Sequence, residues 1–240
     1  MRILALDTAT EVCGLALWQE NRVLAERRFT LGVTHTKVIM QALQTLLRET
    51  GTEVSDVDGW VVTRGPGSFT GLRIGVSTAK GLALATGKPL AGVSTLAVLA
   101  HQAPRDAKWV CPMIDARRHQ VYWSLYQRHG DDLVPALPEY AGSVNEALSL
   151  IADRTPCLFI GNGARLYAGV IAAQLGAKAP LTEDALHDLQ PGMAALLGNR
   201  RLSEGDSEDV HRFVPAYLRG ADAQLPAAAG TGARSGKKTQ

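Results

Sequence analysis

Gly65-Pro66-Gly67-Ser68-Phe69-Thr70-Gly71-Leu72-Arg73 is the stretch on which the reading of this chain turns. Upstream, Trp60, Val61 and Val62 make a short apolar strand pattern; downstream, a helix pattern runs from about Thr70 to Ala85. Gly and Pro set an unusual backbone path between the two, and Ser68 or Thr70 offers the side-chain oxygen that caps a helix start. Gly71, Gly75, Ala79 and Ala83 recur at every fourth position and so share one helix face. A glycine inside a helix costs about 1 kcal/mol relative to alanine. Two on one face call for compensation, and close approach of another backbone is the usual one. The stripe is therefore expected to mark a helix–helix contact, within the fold or with another subunit.

The same stretch invites a phosphate-loop reading, and spacing argues against it. GxxxxGK followed by Ser or Thr fails, because Thr70 stands five residues after Gly65 and Gly71 is followed by Leu72 and Arg73. GxGxxG fails because Thr70 holds its third glycine position. A helix N-terminus binds anions in general, but a tight strand-to-helix turn feeding a packing helix is the simpler account here.

Before this stretch come three strand-like runs, Ile3 to Leu6, Val12 to Trp18 and Val23 to Phe29, separated by turn residues. An amphipathic helix is expected from about Thr36 to Thr50, with Val38, Ile39, Ala42, Leu43, Leu46 and Leu47 on its apolar side and Gly51 as its C-terminal stop. After it come a strand at about 89 to 93 and a helix capped by Ser94 or Thr95. Hairpins followed by βα crossovers imply a mixed α/β sheet covered by helices.

A second unit begins near Pro104. Lys108 to Ile114 and Gln120 to Tyr126 read as strands around the turn Asp115-Ala116-Arg117-Arg118-His119. Helix (about 143 to 152), strand (Pro156 to Ile160) and helix (about 163 to 175) follow, a shortened copy of the first unit. Residues 176 to 212 read as mostly helical. The last 20 residues, rich in Ala, Gly and Lys, read as disordered.

Composition bounds the function. The 240 residues are 46% hydrophobic and 20% charged, ordinary for a globular protein. No apolar run approaches the ~20 residues that span a bilayer, and Asp7 interrupts any signal-peptide core. Three scattered cysteines, Cys13, Cys111 and Cys157, favour a reducing compartment, buried thiols and no cysteine metal site. The net charge of +2 resides in residues 221–240, where Arg234, Lys237 and Lys238 face one acid, Asp222. The body is formally neutral, which does not favour autonomous nucleic-acid binding, although a local patch exists at Arg117 and Arg118.

Asp7-Thr8-Ala9-Thr10, GPGSFTGLRIG at 65–75, Asp115-Ala116-Arg117-Arg118 and Tyr217-Leu218-Arg219 occur in an order that resembles the bacterial TsaB (YeaZ) family of the actin/sugar-kinase/Hsp70 superfamily. The resemblance spans residues 1–219. It implies two actin-like (ASKHA, RNase H-like) lobes with mixed sheets, a first lobe at 1–103 and a smaller second lobe at 104–219 whose end is free to pack back on the first. Residues 220–240 form the disordered tail. It also implies a cytoplasmic, non-catalytic subunit that works with the related catalytic subunit TsaD and the small ATPase TsaE. Together they transfer a threonylcarbamoyl group to the adenosine beside the anticodon of tRNAs reading codons that begin with A.

The first-lobe helices would then dimerise or bind the catalytic paralogue, with Gly65, Pro66, Gly67, Phe69, Thr70, Gly71, Arg73, Gly75 and Ala79 as the interface. No membrane contact is implied, tRNA is met only through the complex, and ATP or ADP belongs to the complex rather than being required by this chain. In superfamily kinases the first hairpin holds phosphates, which makes Asp7, Thr8 and Thr10 nucleotide candidates; Asp and Thr are equally ordinary turn formers. Asp115-Ala116-Arg117 and Gly161-Asn162-Gly163 read in the same two ways, as second-lobe elements of such a site or as plain turns. The metal-binding HxxxH of the catalytic paralogue is absent, since Ile39 stands four residues after His35. No nucleophile sits beside a base. Trp109, Tyr122, Trp123 and Tyr126 read first as core, second as a base-stacking platform. A small-molecule kinase or ATPase of the same fold is the alternative, and a metallopeptidase a more distant one.

Overall fold

The computed structural model describes residues 1–30, 35–181 and 184–218, without the side chains of residues 35–37 and 185. The expected disordered tail at 220–240, Arg219 and the His35 side chain lie outside the described residues.

Two mixed sheets carry the fold. The first has β1 (Ile3–Asp7), β2 (Val12–Gln19), β3 (Arg22–Thr30), β4 (Gly59–Gly65) and β5 (Leu90–Ser94) in the order β3-β2-β1-β4-β5. β1 runs antiparallel to β2 and parallel to β4, with Leu6 beside Val62. Every residue of β1 is buried, because both faces of the sheet are covered. α1 (His35–Glu49) and α2 (Phe69–Thr86) cover the face that carries Leu4, Leu6, Trp60 and Val62. α7 (Pro191–Ser203) covers the other with Ala194, Ala195 and Leu202 against Ile3 and Val61. Ser68 caps α2 by accepting the Gly71 N–H, and Ser94 caps α3 (Thr95–His101) by accepting that of Ala97.

The second sheet has β6 (Trp109–Asp115), β7 (Val121–His129), β8 (Asp132–Gly142) and β9 (Cys157–Ile160) in the order β8-β7-β6-β9. It repeats the β3-β2-β1-β4 part of the first sheet. α4 (Val144–Ile151), α5 (Asn162–Leu166) and α6 (Ala168–Leu175) pack with it. Trp123, Tyr126 and Tyr122 are buried, and Trp123 stacks on Tyr140, so these aromatic side chains serve as core rather than as a base platform. All three cysteines are buried free thiols. Among the described residues no helix is long and apolar enough to cross a membrane.

Three expectations are corrected. β8 has no counterpart in the sequence reading, because Pro135 and Pro138 break its pattern; it lies at a sheet edge, where a missing N–H is tolerated. The single helix expected at 163–175 is split at Tyr167 into α5 and α6. Residues 176–212 are less α-helical than expected: among the described residues α7 is their one α-helix. Apart from α7 they hold short 3-10 turns, and the chain beyond α7 runs back over the first sheet. There the Glu208 N–H donates to Leu90 O at 2.8 Å and Phe213 is buried against Gly92. One aromatic anchor and backbone pairing fix this segment, and neither leaves a helical period in the sequence.

Candidate functional site

The turn after β1 carries the nucleotide candidates, and the fold uses them internally. Asp7 is 1% exposed; its Oδ1 accepts from Thr63 Oγ1 at 2.5 Å and from the Ala9 N–H at 3.1 Å. Its Oδ2 is buried and has no hydrogen-bond partner among the described residues. Burial pushes this carboxyl up to about 6, against the pull of the Thr63 and backbone hydrogen bonds. Thr8 is fully buried and its Oγ1 donates to Gly71 O at 2.8 Å. Thr10 bonds to the start of β2, donating to Val12 O at 2.9 Å.

α2 meets this turn almost backbone to backbone. A Cβ on Gly67 would collide with the Ala9 carbonyl, one on Gly71 with the Thr8 carbonyl, and one on Gly75 with Thr8 Oγ1. Ser68 N also donates to Ala9 O at 2.7 Å. The small-residue stripe does accept another backbone, but it is the chain's own hairpin turn and not a helix of a partner. Gly71, Gly75 and Ala79 are buried inside the first lobe, so the contact they make in this chain is within the fold. Gly65 and Pro66, joined by a cis bond, are buried as well, with Ala216 O 2.5 Å from where a Gly65 Cβ would stand.

A neighbouring face of the same helix is open. Arg73, Ile74, Ser77, Thr78, Gly81 and Leu82 of α2, with Met40 of α1, line a groove of about 530 Å³. A Cβ on Gly81 would meet nothing within 4 Å. Of the nine interface candidates, Arg73 alone lines this groove. Thr70 is exposed and Phe69 half-buried at the helix start. Arg73 lies with its guanidinium 3.9 Å from the Phe69 ring centroid and donates through Nε to Tyr217 Oη at 3.2 Å, while Phe69 and Tyr217 rings stand 5.0 Å apart. The sequence reading missed Ser77 and Gly81, although Arg73, Ser77 and Gly81 form a second series at four-residue spacing.

The second-lobe turn is built differently. Arg117, Arg118 and His119 are exposed and all have positive φ, between 53° and 61°. Arg117 bridges to Glu11 of the first-lobe turn at 2.6 Å and to Asp115 at 3.3 Å. Asn162 accepts the Asp115 N–H at 3.0 Å. A Cβ on Gly161 would collide with Met113 O, and one on Gly163 would lie 2.9 Å from Ile114 C, so the Gly161-Asn162-Gly163 turn is filled by β6. Among the described residues no group of three or more His, Cys, Asp or Glu could hold a metal ion.

Comparison with known proteins gives the family. Residues 31–227 match the family model described as TsaD: tRNA N6-adenosine threonylcarbamoyltransferase. The tRNA threonylcarbamoyladenosine biosynthesis protein TsaB of Bacillus subtilis is 36% identical over 225 residues, 93% of this chain and 96% of that one. The solved structure of YeaZ from Pseudomonas aeruginosa matches with a TM-score of 0.75 at 32% identity, covering 90% of this chain and 99% of that one. Component A of the (R)-2-hydroxyglutaryl-CoA dehydratase of Acidaminococcus fermentans matches with a TM-score of 0.52 at 10% identity over 85% and 99%, a likeness of fold alone. The two mixed sheets are thus actin-like lobes, and the chain belongs to the TsaB family.

Proposed function

We propose that this chain is a non-catalytic subunit in tRNA threonylcarbamoyladenosine biosynthesis, docking through its α1–α2 groove on the related transferase subunit TsaD. With TsaD and the ATPase TsaE it supports transfer of a threonylcarbamoyl group to the adenosine beside the anticodon; tRNA is met through that complex. The observation that carries the reading is the division of α2. The face toward the β1–β2 turn is spent on Thr8, while the neighbouring face is left apolar and open.

The matched family model supports the choice of partner. This chain is similar to the transferase itself, so the two share a fold, and like folds pair readily about a pseudo-twofold axis. Gly81 and Ser77 let a partner helix come close. Without TsaD the same groove pairs two copies of this chain. ATP or ADP belongs to the complex rather than being required by this chain.

The test is threonylcarbamoyl transfer to tRNA by purified TsaD, TsaE and activated donor, with and without this chain. Transfer is expected to require the chain, to survive Asp7→Asn, and to be lost with Gly81→Leu. Gly81→Leu fills the groove from a site with open space around it, and leucine is the better helix former. Full transfer without the chain overturns the reading. Magnesium-dependent ATP turnover by the chain alone, abolished by Asp7→Asn, would replace it with the kinase alternative.

A further inference from the structure

The groove wall has to be held at a fixed height above the first sheet, and one side chain is placed to do this. Thr8 lies between the end of β1 and the first two turns of α2, fully buried. Its hydroxyl donates to Gly71 O, and its own carbonyl and Oγ1 occupy the space where Gly71 and Gly75 lack side chains. Thr8 cannot retreat, because Asp7 is tied to Thr63 of β4 and to the Ala9 N–H on either side of it. Nor can α2 approach further without driving its backbone into the turn. Around the helix from this contact are Arg73, Ser77 and Gly81, which line the groove opposite Met40 of α1.

From this geometry we propose that Thr8 is a positioning residue for partner docking: it spaces α2 from the β1–β2 turn and so sets the width of the α1–α2 groove. The inference rests on the groove being the docking site. It gives a family-motif threonine a role in binding a protein of the same fold rather than a nucleotide. The hydroxyl is essential to it, since a methyl group cannot stand at hydrogen-bond distance from a carbonyl oxygen and would push the helix away.

The experiment measures the Kd of the full-length chain for purified TsaD, by calorimetry, for the natural chain, Thr8→Ser, Thr8→Val and Gly81→Leu. Thr8→Ser keeps the donor and is expected to bind within threefold of the natural chain. Thr8→Val is expected to bind at least tenfold more weakly. In reconstituted transfer, Thr8→Val should reach the full rate once the chain is supplied at saturating concentration, a split that general loss of structure would not give. If Thr8→Val does not fold, Thr8→Ala, which also lacks the donor, takes its place. Binding by Thr8→Val or Thr8→Ala within twofold of the natural chain, while Gly81→Leu binds weakly, sinks the positioning role and leaves the groove reading standing. Equal weakening by Thr8→Ser and Thr8→Val sinks it too. Undiminished binding by Gly81→Leu removes the groove reading itself.

Discussion

In the first lobe the turn after β1 is buried, with Thr8 seated against the glycines of α2 and Asp7 tied into β4. In the second lobe the turn after β6 stands in solvent, with Arg117, Arg118 and His119 all in the left-handed region. The sheets around them share one strand order. The difference comes from the helix that follows the next parallel strand. α2 runs 18 residues and brings its glycines at 71 and 75 to the turn, with Gly67 just before its cap. α5 runs five, and Gly161 at its cap and Gly163 within it receive the body of β6 instead. A strand order thus leaves the use of its turns open, and the spacing of small residues in the next helix decides it.

The comparison breaks most readily at the glycines. Gly71→Val is expected to lower stability by about 4 kcal/mol, because both colliding groups belong to fixed backbone and a buried turn. Gly163→Ala, the second-lobe counterpart with a 2.9 Å approach, should cost about 1–2 kcal/mol. Urea unfolding measures both, and equal losses would mean the two lobes are packed alike.

Asp7 sharpens the same contrast through pH. Its carboxyl titrates near 6 in the fold against an ordinary 3.8, so between these values the folded chain holds a proton that the unfolded chain has released. Stability therefore falls as pH rises from about 4 to about 6 and is level above, by roughly 3 kcal/mol in all. Asp7→Asn should remove that slope and be the more stable form at pH 7. Unfolding midpoints across pH 4 to 8 test it; an unchanged slope would place Asp7 in contact with water.

Smaller effects belong to the exposed turn. His119→Gly should raise stability by up to about 1 kcal/mol by relieving a left-handed residue. Arg117→Ala should change it by less than about 1 kcal/mol, since both partners of the Glu11 pair are exposed, at 69% and 74%, and salt screens them. A larger loss would show that the lobes are held together at their tips.

Much of the first lobe is legible in the sequence, since apolar periods mark α1 and β1 to β5, Gly51 takes the positive φ of a helix stop, and Ser68 and Ser94 cap as their positions imply. β8 is hidden by its prolines, which only an edge position excuses. The glycine stripe announces close backbone approach but not whose backbone approaches, because that depends on a turn some 60 residues away. The groove was within reach: Arg73, Ser77 and Gly81 repeat at the same spacing on a neighbouring face. The contact of Tyr217 with Phe69 and Arg73 left no trace in either local pattern.

The return of the chain end to the first lobe has a consequence for synthesis. The Ala216 N–H donates to Arg64 O at 2.7 Å, Lys80 Nζ donates to Phe213 O at 2.8 Å, and Tyr217 holds Arg73, while α7 covers a whole face of the first sheet. A chain leaving the ribosome N-terminus first makes α2 early, yet the sheet beneath it stays half-covered and Arg73 without its Tyr217 contact until residues beyond 190 emerge. The surroundings of the groove are finished last. A prematurely terminated product carries the groove's residues without the contacts that brace α2 from the chain end.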